Sequence, residues 1–508
     1  MNQQAVAVYR HSSSGYPSQS PFHPQTHYPE YDLASCGSEP NPAYEAVRSV
    51  FFLAGLDAEN YGTRRWNPLK GLIRPGDVVL LKPNMLSAHH PRYPEGWQYV
   101  LTHGSVIRAV ADYVWKALEG EGKIIVADGP QPETSFAEIC RVIGLDKVAD
   151  FFSDRKVNFE LVDLRSIERF VKDEVVIGAR PLSGDPAGYV RFDLADKSEF
   201  VGHMGAGRYY GADYNSKEVN DHHSDGRHEY ELSGTAIACD VFFNLPKLKT
   251  HKKVGVTISL KNLVGVNGNK NFLPHHTDGD PSNGGDQFRH PGLKNDSERQ
   301  MVHLMRKLSR HVPAVGPWVH RQARKVGKHI YGTEEEIVRS GNWHGNDTAW
   351  RMCLDLNKIV LYGNPDGSLR PAEPTQRKRY LSLVDGIIAG EGSGPSNPDP
   401  VATGMVVFGA NPAYVDATCV YLMGFDPDKI PLVRQSFHCH PYRLADCDWG
   451  DVECVSNAAA WNGRLEDIAD ASTWRFKAHH GWRGYMERTV MPEDKAQAHS
   501  VFNIKDTT

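Results

Sequence analysis

An α/β fold, with a parallel-sheet core, helices on both faces and large insertions, is predicted by three features of this chain. Short apolar runs alternate with amphipathic helical segments in its first third, which is the pattern of β-α-β units with right-handed crossovers. The apolar run 238–245 ends abruptly in cationic and polar residues, as a buried strand does when its tip reaches a ligand site at the carboxyl edge of a sheet. At 508 residues the chain exceeds the usual size of one domain, so a core interrupted by insertions is expected.

In order, residues 1–40 are rich in Gln, Ser, His and Pro and read as a disordered polar tail. Tyr44, Val47, Val50 and Phe51 recur at helical spacing and predict a helix over 41–55. A strand over 78–81, a helix over 105–118 with Val106, Val110, Val114 and Leu118 on one face, and a strand over 124–127 complete the first β-α-β unit. These belong to an N-terminal α/β lobe, 41–235, whose second half is an irregular β-rich insertion. A Lys/His segment follows over 236–290, a basic helical insertion over 291–345, the C-terminal part of the core over 346–455 and a peripheral segment over 456–508. Within 341–366, Asn, Asp and His residues alternate with Trp and suit either a pocket edge or a capped helix start.

Three predicted strand tips carry the chemistry. Lys82 and Asn84 follow the first strand, Asp128 ends the second, and Lys247, Lys249 and His251 follow the run at 238–245. A parallel sheet brings such tips to one edge. Buried lysines cost free energy unless paired or solvated in a cleft, so their convergence points to a site for something anionic or metal-bound. Lys261 and Asn262 lie just downstream, followed by a Gly/Asn-rich loop with His275, His276, Asp278 and Asp280. Neutral imidazole is the commonest metal ligand and carboxylates can complete or orient the shell, so this loop serves either a divalent metal, through His275, His276 and Asp278, or hydrogen bonding to a substrate. Near the C-terminal part of the core, Asp385 is a further substrate-binding candidate. The Gly-rich stretch 390–395 offers a backbone cradle for an anion, with Glu391 as a general acid or base. Neither a phosphate-binding Gly-Lys-Ser/Thr loop nor a dinucleotide fingerprint is present.

These residues resemble the motifs of the DUF362 family. Asp77-Val-Val-Leu-Leu-Lys82-Pro83-Asn84 and Gly122-Lys-Ile-Ile-Val-Ala-Asp128-Gly129 are similar to its first two strands. Lys247-Leu-Lys-Thr-His251 with Leu-Lys261-Asn262-Leu-Val-Gly265 is similar to its central segment. Leu383-Val-Asp385-Gly386, Glu391-Gly-Ser-Gly394-Pro395 and Val415-Asp416-Ala417 are similar to its C-terminal signature. More distantly, His251, Gly255 and Lys261 resemble the histidine-glycine-lysine pattern of the nickel-pincer lactate racemase superfamily. There the lysine tethers a nicotinate-derived nickel cofactor, the histidine moves a proton, and a later histidine, here His275 or His276 by position, ligates the metal. Thr257-Ile-Ser-Leu260 replaces the small-residue turn before the racemase lysine, which sets this chain apart from the cofactor-bearing pattern. The resemblance implies isomerase or epimerase chemistry on an anionic small molecule, with His251, Lys261 and Glu391 as catalytic candidates and a redox or group-transfer step as the nearest enzymatic rival. Lys82, Asn84, Asp128, Lys247, Lys249, Asn262 and Asp385 then bind substrate. A non-catalytic metabolite- or metal-cofactor-binding protein is the alternative.

Composition narrows the rest. With 40% hydrophobic and 23% charged residues and a formal charge of -5, the chain offers no global electrostatic case for nucleic acid. No run of about 18 apolar residues is present to span a membrane, and the N-terminus lacks the apolar core of a secretion signal, so cytoplasmic residence is expected. Residues 300–330 form a basic amphipathic segment that suits either a solvated flank or contact with a membrane surface. The eight cysteines contain no C-x-x-C pair, and no iron–sulfur cluster is expected.

Overall fold

The computed structural model describes residues 4–33, 35–172, 175–213, 215–292 and 338–488. Its central sheet is built in chain order from β1 (Ala5–Arg10), β2 (Val78–Pro83), β3 (Lys123–Asp128), β4 (Phe159–Asp163), β5 (Val241–Leu245), β6 (Lys247–His251), β7 (Gly255–Thr257), β8 (Arg379–Ser393), β9 (Asn397–Gly409), β10 (Glu453–Ser456) and β11 (Gly463–Arg464). In space the order is β11-β10-β1-β9-β8-β5-β2-β3-β4, with β6 beside β8 and β7 beside β6. β8, β5, β2, β3 and β4 run parallel, and β9 turns the sheet antiparallel toward its far edge.

Successive strand residues face opposite sides, and both sides are covered. Val79, Leu81, Ile124 and Phe243 pack with helices α1 (Pro42–Leu53) and α2 (Gly104–Leu118). Leu80, Ile125, Phe242 and Val407 pack on the other face, where the helices α5 (Ser259–Asn262), α6 (Ala349–Tyr362) and α7 (Pro412–Leu422) lie; α3 (Phe136–Val142) and α4 (Leu145–Asp154) flank the first face. The expected α/β architecture with helices on both faces is the one observed.

Several local expectations are corrected. The described part of the expected disordered tail, 4–33 and 35–40, is ordered: the alternating Ala5-Val-Ala-Val-Tyr9 forms β1, inserted between β9 and β10. The polar residues that follow are tied down, with Arg108 donating to the Pro21 carbonyl at 2.7 Å and to the Tyr31 hydroxyl at 2.9 Å. The segment after 456 is not peripheral as far as residue 488. β11 pairs with β10, and the indole of buried Trp482 donates to the Lys252 carbonyl at 2.8 Å. The Gly-rich stretch 390–395 is the end of the β8–β9 hairpin, where a side chain on Gly394 would meet the Thr250 carbonyl at 1.9 Å and one on Gly390 the Lys249 Cβ at 3.0 Å; these two glycines serve close packing against β6, and Gly392 takes a left-handed φ of 73°. Residues 349–362 form helix α6, and just before it the Asn346 side-chain oxygen accepts from the Thr348 and Ala349 amides. Most of the basic insertion expected over 291–345, and the 300–330 segment with it, lies outside the described residues.

Candidate functional site

β5 pairs with β2 as far as Leu245 opposite Pro83. The chain then crosses Pro246 and continues as β6, which stays on the long β8 and so projects past the tips of β2 and β3. The β6–β7 hairpin reverses it, and α5 carries Lys261 and Asn262 back over those tips. The space enclosed is a cleft of about 420 Å³ at the carboxyl edge of the parallel strands. Among the described residues its lining holds six lysines (Lys82, Lys249, Lys252, Lys253, Lys261 and Lys270), the histidines His251, His275 and His276, and a single carboxylate, Asp128.

The floor is a polar network in which the buried Asn84 side-chain oxygen is left without a hydrogen-bond partner among the described residues. Lys82 and Asp128 form a buried ion pair at 2.8 Å, and Asp128 also accepts from the Met85 and Gly129 amides at 2.7 and 2.8 Å. Asn262 donates to the Lys82 and Asn244 oxygens and accepts from Asn84 at 2.8 Å. Gly265 lies directly over the pair: a Cβ there would sit 1.8 Å from Asp128 Oδ1 and 2.7 Å from Lys82 Nζ. Burial pulls Lys82 below the ordinary lysine range, with the Asp128 charge opposing it.

The short helix α5 is held by side chains from three other elements. Asp416, on α7, accepts from the Ser259 and Leu260 amides at 2.7 and 3.1 Å. Asn244 donates to the Ser259 carbonyl and Asn357, on α6, to the Leu260 carbonyl. Asp416 therefore positions Lys261. The Lys261 side chain is 8% exposed, and among the described residues its amine has no hydrogen bond or ion pair. Burial lowers its proton affinity, and its charge in turn weighs against protonation of Lys82, Lys249, Lys270, His251 and His275. The other lysines with assigned partners are anchored: Lys249 donates to the Val100 carbonyl at 2.5 Å, Lys270 to the Val264 carbonyl at 2.9 Å, and Lys253 to the Ser340 carbonyl. Burial pulls Lys270 down to about 7, against the opposing charge of Asp128.

The two imidazoles next to Lys261 face the cleft in opposite tautomers. Nδ1 of His251 accepts from the Lys253 amide at 3.0 Å, so its Nε2 carries the proton. Nδ1 of His275 lies 2.9 Å from the Leu273 carbonyl, to which it must donate, so its Nε2 carries the lone pair. Burial, then the charge of Lys261, keeps both well below the ordinary histidine range and hence neutral. These two imidazoles thus offer the cleft one N–H donor and one basic nitrogen.

Not every sequence-derived candidate is here. Lys82, Asn84, Asp128, Lys249, His251, Lys261, Asn262, His275 and His276 line the cleft. Lys247 and Asp385 do not: they form a buried pair at 3.0 Å, completed by the Tyr16 hydroxyl, 2.6 Å from Lys247 and 2.5 Å from Asp385, and by the His103 amide. The register opposite β8 slips between Lys247 and Lys249, which separates them. Glu391 is turned away from the cleft as well and pairs with the Lys477 amine at 3.0 Å and its amide at 2.7 Å. Asp278 is outside the lining, and Asp280 caps the turn that follows it. His276 stacks on Tyr210 at 4.8 Å. No group of three or more His, Cys, Asp or Glu side chains able to hold a metal is assembled among the described residues. The donor set expected of His275, His276 and Asp278 is therefore not assembled in the cleft. Lys252, Lys253 and Lys270 are additions. The first two extend the visible basic run 247–253, whereas Lys270 reaches the site by a 3₁₀ turn, Lys270–Phe272, that folds its loop back toward Asp128.

The chain belongs to the DUF362 family, a domain of unknown function, which it matches over residues 79–180 and 164–421. It is 24% identical over 368 residues to a thylakoid-associated protein of Synechocystis, covering 72% of this chain and 69% of that one. A solved structure of a Thermotoga maritima protein is similar at 10% identity with a TM-score of 0.30, over 70% of this chain and 53% of that protein, about half its length. No helix among the described residues is long and apolar enough to cross a membrane.

Proposed function

We propose that this protein is an enzyme whose cleft binds a small polar anion and moves a proton on it. The observation that carries the reading is the charge imbalance of the lining, six lysines against one carboxylate already paired to Lys82. A cation held in a buried site without a partner costs several kcal/mol, and an anionic ligand would offset that cost. The opposed tautomers of His251 and His275 supply an acid and a base on one bound molecule. Isomerisation or epimerisation at a carbon bearing a hydroxyl is the favoured reaction, in keeping with the racemase-like spacing of His251, Gly255 and Lys261.

The test is solvent exchange. Small hydroxy acids and sugar phosphates incubated with the protein in D₂O should gain deuterium at the hydroxyl-bearing carbon, and His275→Ala should abolish the gain. A panel that binds but never exchanges would overturn the enzyme reading. It would favour the second reading, a non-catalytic protein holding an anionic metabolite or a metal cofactor, which is supported by Glu391 and Asp385 lying outside the cleft. The proposed location is the cytoplasm. A peripheral membrane contact through Arg306, Lys307 and Arg310 is the competing placement, suggested by the relative described as thylakoid-associated. Liposome co-sedimentation that is lost on reversing these three residues to Glu would establish it.

A further inference from the structure

We propose that Lys261 forms a reversible imine with a small carbonyl compound that carries a carboxylate or phosphate group. This deepens the anion-binding reading above and rests on it. Among the cleft lysines, Lys82 is committed to Asp128, Lys249 to the Val100 carbonyl and Lys270 to the Val264 carbonyl. Lys261 differs from these three: its amine borders the cavity with no hydrogen bond or ion pair among the described residues. Its backbone is fixed by Asp416, Asn244 and Asn357, so the amine is delivered from a pinned turn rather than from a mobile loop. Desolvation is one of the devices that make a lysine amine nucleophilic, and it acts here. The surrounding lysines would hold the anionic end of the molecule and leave its carbonyl for Lys261.

The chemistry balances without an oxidant or reductant. The amine lone pair adds to the carbonyl carbon and the C–O π pair passes to oxygen. Both amine hydrogens then leave with that oxygen as water while the C=N bond forms. His275 Nε2 is placed to take a proton from nitrogen, and His251 Nε2–H to give one to the departing oxygen.

The experiment treats the full-length protein with glyoxylate and cyanoborohydride at pH 7 and maps carboxymethylated lysines by peptide mass spectrometry, with phosphate binding followed by calorimetry in parallel. Lys261 should be modified at least about tenfold faster than the average lysine, because its amine borders the cavity and burial raises its free-amine fraction. Inorganic phosphate should protect it. Lys261→Arg keeps the charge but cannot condense, so it should lose the fast modification and retain phosphate binding. Lys261 modified no faster than surface lysines, with phosphate still bound, would overturn the imine and leave the anion site standing. Absence of both fast modification and phosphate binding would overturn the two together. Should the Arg variant not fold, the wild-type peptide map alone still decides.

Discussion

Replacing Gly265 by Ala tests the architecture of the cleft floor with a single methyl group. Gly265 does not occupy the left-handed region, so alanine meets no backbone penalty and the cost is purely steric. The added Cβ would stand 1.8 Å from Asp128 Oδ1 and 2.7 Å from Lys82 Nζ, far inside contact distance. Either the 263–266 turn lifts, breaking the Gly129 amide bond to the Gly265 carbonyl at 2.9 Å, or the Lys82–Asp128 pair opens. Overpacking of this kind costs about 1–3 kcal/mol, and separation of a buried ion pair about 3–5 kcal/mol, so a loss of about 2–4 kcal/mol is expected. Thermal unfolding should show a fall of several degrees together with weakened phosphate binding. Gly71→Ala is the control, since nothing lies within 4 Å of its added methyl and its φ is not positive. Wild-type stability and wild-type phosphate affinity in Gly265→Ala would refute the packing described here.

Three further outcomes are expected. Burial pushes Asp416 up to about 7, above its unfolded value of roughly 3.9, so its contribution to stability is complete below about pH 4 and is lost as pH rises toward 7. Asp416→Asn should remove about 4 kcal/mol of that pH dependence, and identical melting profiles from pH 4 to 8 in the two proteins would contradict it. Lys270, drawn down to about 7, is a cation below that pH; phosphate affinity should weaken as pH rises through 7, and Lys270→Met should flatten this step in calorimetric titrations. Glu391→Gln should leave phosphate binding within about twofold of wild type, because Glu391 is paired with Lys477 outside the cleft. A tenfold loss would return Glu391 to the site.

The parallel core was legible because helical and strand periodicities alternate cleanly between residues 41 and 128, and because a charged tip after an apolar run has few structural uses. Lys82, Asn84, Asp128, Lys249, His251 and Lys261 could be grouped on that ground. Tertiary detail decided the remainder. Lys247 and Lys249 are two residues apart and read as equivalent, yet the slipped register against β8 gives Lys247 to Tyr16 and Asp385. The strand Ala5–Arg10 was masked by the polar composition around it, although its alternation is plain once a pairing edge is supplied by β9. Lys270 sits in a loop whose histidines drew attention, and its nearness to Asp128 spans 142 positions of sequence that no local pattern encodes. Glu391 lies in a glycine-rich motif that reads as an anion cradle, but Gly390 and Gly394 are there because β6 packs against the hairpin, and Gly392 because its φ is positive.

The most direct test of the central claim is an anomalous-scattering map of the crystallised protein soaked in selenate, an anion that reports its own position. The account predicts a selenium peak inside the cleft, within hydrogen-bonding reach of at least one of Lys249 and Lys270, and its loss when both are replaced by Met. Selenium peaks confined to surface lysines, with the cleft empty in the wild-type protein, would contradict it.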